Sequence, residues 1–131
     1  MKVARWLVVI GCLLLLVGGM LHAYASAFAF PKLAASNLDR GLFGAIKAQW
    51  WSFSVEFIVL SFVIFWASRL PNARGLVLLC TLIPAVTTIL MYQYVGSFIG
   101  AHMVAAATVC LAVGGWLLPR GHESHPASRV W

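Results

Sequence analysis

The chain has 131 residues, of which 63% are hydrophobic and only 9% are charged. Soluble domains are about half apolar and a quarter charged, so this composition is typical of an integral membrane protein. The net charge is +6, from nine basic and three acidic residues, and the distribution of the basic residues is informative. They are spread over the ends and connections of the apolar segments and form no stripe that could follow a phosphate backbone. We therefore expect a lipid bilayer, and no nucleic acid, as the partner of this chain.

Four apolar segments are each close to the length of about 20 residues that a helix needs to cross a bilayer. They cover residues 6–28, 49–67, 76–94 and 97–118. The sequence predicts an all-α, integral membrane four-helix up-down bundle that forms one domain over residues 1–119. Residues 120–131 are polar and show no apolar period, and we predict that they form a disordered C-terminal tail.

The basic residues also predict the orientation of the helices. Six of them fall on one side of the predicted spans and three on the other. Because Lys and Arg are enriched in cytoplasmic loops, both termini are predicted to be cytoplasmic in a multi-pass protein of the bacterial inner membrane. The larger group is Lys2, Arg5, Arg69, Arg74, Arg120 and Arg129, and the smaller is Lys32, Arg40 and Lys47.

The N-terminal segment has a second interpretation. Basic residues precede an apolar run that ends near Ala25, Ser26 and Ala27, which resembles a signal peptide with a small-residue cleavage site. Removal of residues 1–27 would leave three spans. The apolar run continues past this site to Phe30, and His22 lies just before it. We favour retention of the segment as the first span.

Glycines are expected where the helices approach closely, because lipid removes the hydrophobic drive for association and small residues permit backbone contact. The candidates are Gly11, Gly18, Gly19, Gly114 and the pair Gly96 and Gly100 in GxxxG spacing.

The most unusual side chain is Glu56, a carboxylate inside an apolar span. An ionisable group at such a depth is costly and is usually paired or functional. Gln49, Ser52 and Glu56 share one helix face, and His22, Gln93 and His102 are predicted to lie at a similar depth from the other three helices. We expect these residues to converge in the outer half of the bundle. The sequence predicts a hydrogen bond or ion pair between Glu56 and His22.

Three interpretations of this polar cluster remain open. The side chains could hold the helices in register through interhelical hydrogen bonds, or they could line a pocket for a quinone, a lipid or another apolar molecule. The third interpretation is a metal or haem site with His22, His102 and Glu56 as ligands. The sequence contains no paired-histidine motif for this chemistry, and it names neither a metal nor a cofactor.

Aromatic residues flank the predicted cluster. Trp50, Trp51 and Tyr94 are interpreted as interfacial anchors, with an aromatic wall for a ligand as the alternative. Residues 28–43 are predicted to form a loop, either a plain connection or a lid over the outer end of the bundle.

The segment GGMLH at 18–22, Pro31 soon after it and the segment GAH at 100–102 resemble small four-span bacterial membrane proteins of the DoxX-like type. The resemblance implies a small subunit associated with membrane redox or quinone chemistry. It supplies no catalytic residues. The expected function is therefore an accessory subunit or a binder of an apolar ligand, with other membrane subunits or a second copy as partners. The alternative is a small membrane enzyme or redox protein that uses His22, Glu56 and His102.

Overall fold

The computed structural model describes residues 2–119, and within them the chain forms four long helices and no strand. Helix α1 covers Lys2–Ala34, α2 covers Arg40–Ala67, α3 covers Ala73–Leu90 and α4 covers Ile99–Leu117. A π-helical turn, Met91–Val95, continues α3. All four are long and apolar enough to cross a membrane. The predicted all-helical bundle is confirmed, whereas the predicted tail at 120–131 lies outside the described residues.

The predicted loop at 28–43 is wrong. Residues 35–39 alone connect α1 to α2, and the flanking residues are helical. Pro31 lies within α1, where it removes the single N–H that would donate to the carbonyl four residues earlier, and the helix continues to Ala34. Asp39 then begins α2 by accepting a hydrogen bond from the backbone N–H of Leu42 at 2.9 Å. Because most of residues 28–43 are helical, this segment does not form the loop that was predicted as a possible lid.

Helix α1 is the centre of the packing. It lies along α2 on one side and α4 on the other, while α3 packs mainly on α4 and touches α2 little. The order across the bundle is therefore α2, α1, α4, α3. The buried core along α1 includes Val8 and Leu15, which face Leu111 of α4 and Ile64 of α2 in one apolar cluster.

Three of the predicted glycine contacts are confirmed. A Cβ at Gly114 would lie 2.9 Å from the backbone N of Val8, and one at Gly19 would lie 2.9 Å from the backbone O of Ser54. A Cβ at Gly11 would lie 3.1 Å from the backbone O of Ala107. These helices touch through their backbones, so the positions accept no side chain without movement.

The other glycine predictions are wrong. Gly18 has open space around it, and Gly96 lies outside any helix with φ of 94° and no neighbour within 4 Å of a built Cβ. Gly96 and Gly100 therefore do not form a helix-packing GxxxG motif. Gly96 lies in the turn before α4, where its positive φ is a conformation that glycine adopts without strain. A Cβ at Gly100 would collide with the ring of Phe98.

Candidate functional site

His22 of α1 packs against aromatic side chains of α2. Its ring stacks on the indole of Trp50 with centroids 4.3 Å apart and planes 13° apart, and the edge of Phe53 completes the wall. The indole N–H of Trp50 donates a hydrogen bond of 2.8 Å to the backbone O of His22. Trp50 is thus half-buried between α1 and α2, where it fixes the position of His22.

The imidazole of His22 is incompletely satisfied. Its Nε2 is buried and has no hydrogen-bond partner among the described residues. A buried polar atom without a partner costs about 1–3 kcal/mol, so native proteins rarely keep one without a further contact. Stacking on Trp50 fixes the ring plane but supplies no partner to this nitrogen. A group that reached this enclosed nitrogen would supply its missing hydrogen bond.

A cavity of about 210 Å³ lies beside His22. It is enclosed by α1, by Phe57 of α2, by Met91 of the π-helical turn and by the first turns of α4. Apart from His22, every side chain that lines it in the described part of the chain is apolar or glycine. The remaining lining residues are Gly18, Leu21, Ala25, Phe98, Ile99, Gly100, Met103 and Val104. Its chemistry is an apolar wall with a single imidazole.

The π-helical turn shapes the open end of this cavity. The backbone N–H of Met91 lies near the carbonyls of both Thr87 and Thr88, where the α-helical register gives way to the wider turn. The turn ends at Gly96, whose N–H donates to the O of Met91 at 2.9 Å. Single π-helical turns are frequent at functional sites because they displace the side chains that follow them. Met91, the first residue of this turn, lines the cavity.

His102 lies on α4 in a separate polar group. Its Nδ1 is hydrogen bonded to the hydroxyl of Tyr92 at 2.5 Å, and its Nε2 to the hydroxyl of Ser97 at 3.1 Å. Both ring nitrogens therefore have a hydrogen-bond partner. The group ties the π-helical turn to the first turn of α4. These contacts indicate a structural role in joining the two elements.

Replacement of Tyr92 with Phe tests this structural role. The change keeps the ring and removes the hydroxyl that bonds His102, and we expect a loss of about 1 kcal/mol in the free energy of unfolding. Thermal or denaturant unfolding in detergent measures it. Tyr94→Phe is the matched control, because Tyr94 is 76% exposed and makes no hydrogen bond within residues 2–119. Equal losses in the two variants would contradict the assignment.

Glu56 lies away from both histidines. It faces an open groove on the outer surface of α2, together with Trp51, Ser52 and Val59. Within residues 2–119, neither a hydrogen bond nor an ion pair joins Glu56 to another side chain, and His22 faces Trp50 and Phe53 instead. The predicted pair of Glu56 with His22 is therefore wrong. A common predicted depth does not fix the direction in which each helix face points.

The other predicted site residues also remain apart. Gln49, Ser52, Gln93 and Tyr94 are exposed, and so is Trp51. Nor does any group of three His, Cys, Asp or Glu side chains in the described chain form a set that could hold a metal ion. The predicted convergence of His22, Glu56, Gln93 and His102 does not occur. The structure brings together His22 with Trp50, and His102 with Tyr92.

Sequence reasoning missed the apolar residues that enclose the cavity. Phe57, Met91 and Phe98 carry no polar signal and resemble any other lipid-facing or core residue. A usable signal was present at Gly100, since a glycine two residues after an aromatic residue leaves room for the ring to fold back on the helix. The comparisons add no relatives: no protein-family model, no curated protein and no solved structure matches this sequence.

Proposed function

We propose that this protein is a multi-pass protein of the bacterial inner membrane, with both termini cytoplasmic, that binds a small apolar ligand beside His22. The observation that carries the proposal is the cavity of about 210 Å³ with one incompletely satisfied imidazole in an apolar wall. Ligand sites typically combine an apolar lining with a few polar groups that orient the ligand. The four apolar helices and the six-to-three distribution of basic residues support the membrane orientation.

The size and chemistry of the cavity favour a particular class of ligand. An apolar cavity of about 150 Å³ accommodates a benzene ring, so about 210 Å³ accommodates one substituted ring. A quinone head group fits this description, because its carbonyl accepts a hydrogen bond from an imidazole N–H while its ring contacts apolar side chains. Any isoprenoid tail would extend beyond the cavity toward lipid. We propose a quinone as the ligand, with a lipid as the competing ligand.

An accessory role within a larger membrane assembly is compatible with ligand binding. The exposed face of α2 carries Trp51 and the unpaired Glu56, which other membrane subunits or a second copy of the chain would cover. The alternative of a metal or haem enzyme is less well supported, since it requires His22, Glu56 and His102 as one ligand set and these residues lie in three separate environments.

Filling the cavity tests the proposed ligand site. Gly18 lines the cavity and has no neighbour within 4 Å of a built Cβ, so Gly18→Leu places a side chain there without a backbone clash. We expect this variant to bind a short-chain ubiquinone at least tenfold more weakly than the wild type while its unfolding remains unchanged. Quenching of tryptophan fluorescence, reported by Trp50 beside His22, measures the binding.

Gly75→Leu is the control for this experiment. Gly75 also has open space around it, but it lies on the exposed surface of α3 and away from the cavity. Its ubiquinone affinity should equal that of the wild type. Undiminished binding by Gly18→Leu, or equal losses in the two variants, would contradict a ligand site beside His22.

A further inference from the structure

A basic groove lies at the end of the bundle opposite His22. It separates the first turns of α1 from the end of α2, has a volume of about 370 Å³, and is lined by Arg5, Val9, Phe65, Ser68 and Arg69. Lys2 and Trp6 line a shallower depression that shares Arg5 and Val9 with the basic groove. Three cations therefore border one connected concave surface.

The arginines of the basic groove are free to bind an anion. The guanidinium of Arg69 lies 4.3 Å from the ring centroid of Phe65, which holds the side chain on the groove wall and leaves its N–H donors available. Neither Arg5 nor Arg69 forms an ion pair within residues 2–119. Of the acidic residues in that part of the chain, Asp39 lies on the connection at the opposite end. Glu56 lies 12 residues before Ser68 on α2, a rise of about 18 Å.

An apolar furrow continues from the basic groove along the α1–α2 interface. It shares Val9 and Phe65 with the basic groove and has a volume of about 180 Å³. Its other lining residues are Cys12, Leu13, Leu16, Ser61 and Phe62. From Arg5 to Leu16 the α1 axis rises about 17 Å, which is close to half of the 30 Å hydrocarbon core. The furrow itself runs from Val9 to Leu16, a rise of about 10 Å. The basic groove and the furrow together therefore have about the depth of one leaflet, and the furrow receives the first part of an acyl chain.

We propose that the basic groove and the apolar furrow together bind one phospholipid with an anionic head group. The phosphate would lie between Arg5 and Arg69, where guanidinium groups can donate paired hydrogen bonds to its oxygens. The first part of one acyl chain would occupy the furrow. Basic pockets between membrane helices on the cytoplasmic side are the usual sites for such lipids. The inference rests on the membrane-spanning part of the proposed function and is independent of the cavity beside His22.

Titration of the detergent-purified protein with lipids, followed by native mass spectrometry, tests the site. Dioleoyl phosphatidylglycerol should bind more tightly than dioleoyl phosphatidylcholine, which has the same chains and no net charge. Arg5→Gln and Arg69→Gln should each weaken phosphatidylglycerol binding by about fivefold, the effect expected per basic residue. The double variant should lose about 25-fold. Phosphatidylcholine binding should weaken less, because the choline ammonium already offsets the charge of its phosphate.

Arg74→Gln is the matched control. The Arg74 guanidinium lies 4.3 Å from the ring centroid of Trp116, so it is an arginine stacked on an aromatic ring near the same end of the bundle but outside the basic groove. Its variant should bind phosphatidylglycerol as the wild type does. Equal weakening by Arg74→Gln and Arg69→Gln would overturn the proposal, because net charge rather than a site would then explain the effect. Equal wild-type affinity for the two lipids would overturn it as well.

A further comparison distinguishes a lipid from a soluble anion. Inorganic phosphate and glycerol 3-phosphate should not displace phosphatidylglycerol at millimolar concentration, because they make no contact with the furrow. Displacement by either would show a phosphate site without lipid specificity and would overturn the assignment to a phospholipid. The Arg5 and Arg69 variants should keep their ubiquinone affinity, so failure of one proposal is distinguishable from failure of the other.

Discussion

Gly114→Leu is expected to force α1 and α4 apart and to lower the free energy of unfolding by about 3 kcal/mol. A Cβ at position 114 would lie 2.9 Å from the backbone N of Val8 and 3.0 Å from the backbone O of Ala4. Backbone atoms cannot rotate away as a side chain can, so the whole helix must shift. Because α1 also packs along α2, the shift would disturb both of its interfaces. Denaturant titration in detergent, followed by circular dichroism, measures the loss.

Two further variants complete this test: a smaller substitution at the same position and a control at an open position. Gly114→Ala should lose less than Gly114→Leu but still more than 1 kcal/mol, since the first added carbon already meets the backbone of α1. Gly75→Leu, at an open position on α3, should change the free energy of unfolding by less than about 0.5 kcal/mol. If Gly114→Leu unfolds at the same denaturant concentration as Gly75→Leu, close backbone contact between α1 and α4 is contradicted.

The existence of the four helices followed from the sequence, but their ends did not. Apolar runs of about 20 residues fix four spans by length alone. Pro31 and Asp39 were interpreted as loop residues, although Pro31 lies in the last turn of α1 and Asp39 caps α2. A proline inside a membrane helix is tolerated where neighbouring groups satisfy the carbonyl that it frees, and a capping residue looks the same in sequence as a turn residue. The proline and the aspartate do mark the ends of two helices, but the connection between those ends is only residues 35–39 rather than a long loop.

The candidate site was predicted less well than the fold, for a geometric reason. The number of residues from a predicted span end predicts the depth of a side chain, and by this count His22, Glu56 and His102 were expected to lie at similar depths. Which side chains meet depends on the rotation of each helix about its own axis. The packing of Gly19 against Ser54 orients α1 and α2 so that His22 meets Trp50. That contact depends on backbone shape, and no polar pattern in the sequence predicts it.

Glu56→Leu is expected to make insertion of α2 into a bilayer more favourable by about 3 kcal/mol, the difference between a leucine and an acidic residue near the centre of a span. Insertion of the isolated α2 segment into microsomes, with glycosylation as the reporter, measures the change. Val55→Leu is the control. Val55 lines the same groove on the outer surface of α2, and this substitution replaces one apolar side chain with another. Equal insertion of Glu56→Leu and wild-type segments would contradict the placement of Glu56 within the span.

The effect of Glu56→Leu on the folded protein should differ from its effect on insertion. Within residues 2–119 Glu56 makes no hydrogen bond or ion pair and faces an open groove, so its loss should leave the free energy of unfolding unchanged within about 0.5 kcal/mol. A loss of 3 kcal/mol or more would reveal a buried partner, because removing one member of a buried pair leaves the other uncompensated. With insertion improved and folding unaffected, a carboxylate at this position would bring no benefit to the isolated chain. Its retention would then point to a contact made on the outer face of α2, with another molecule in the bilayer.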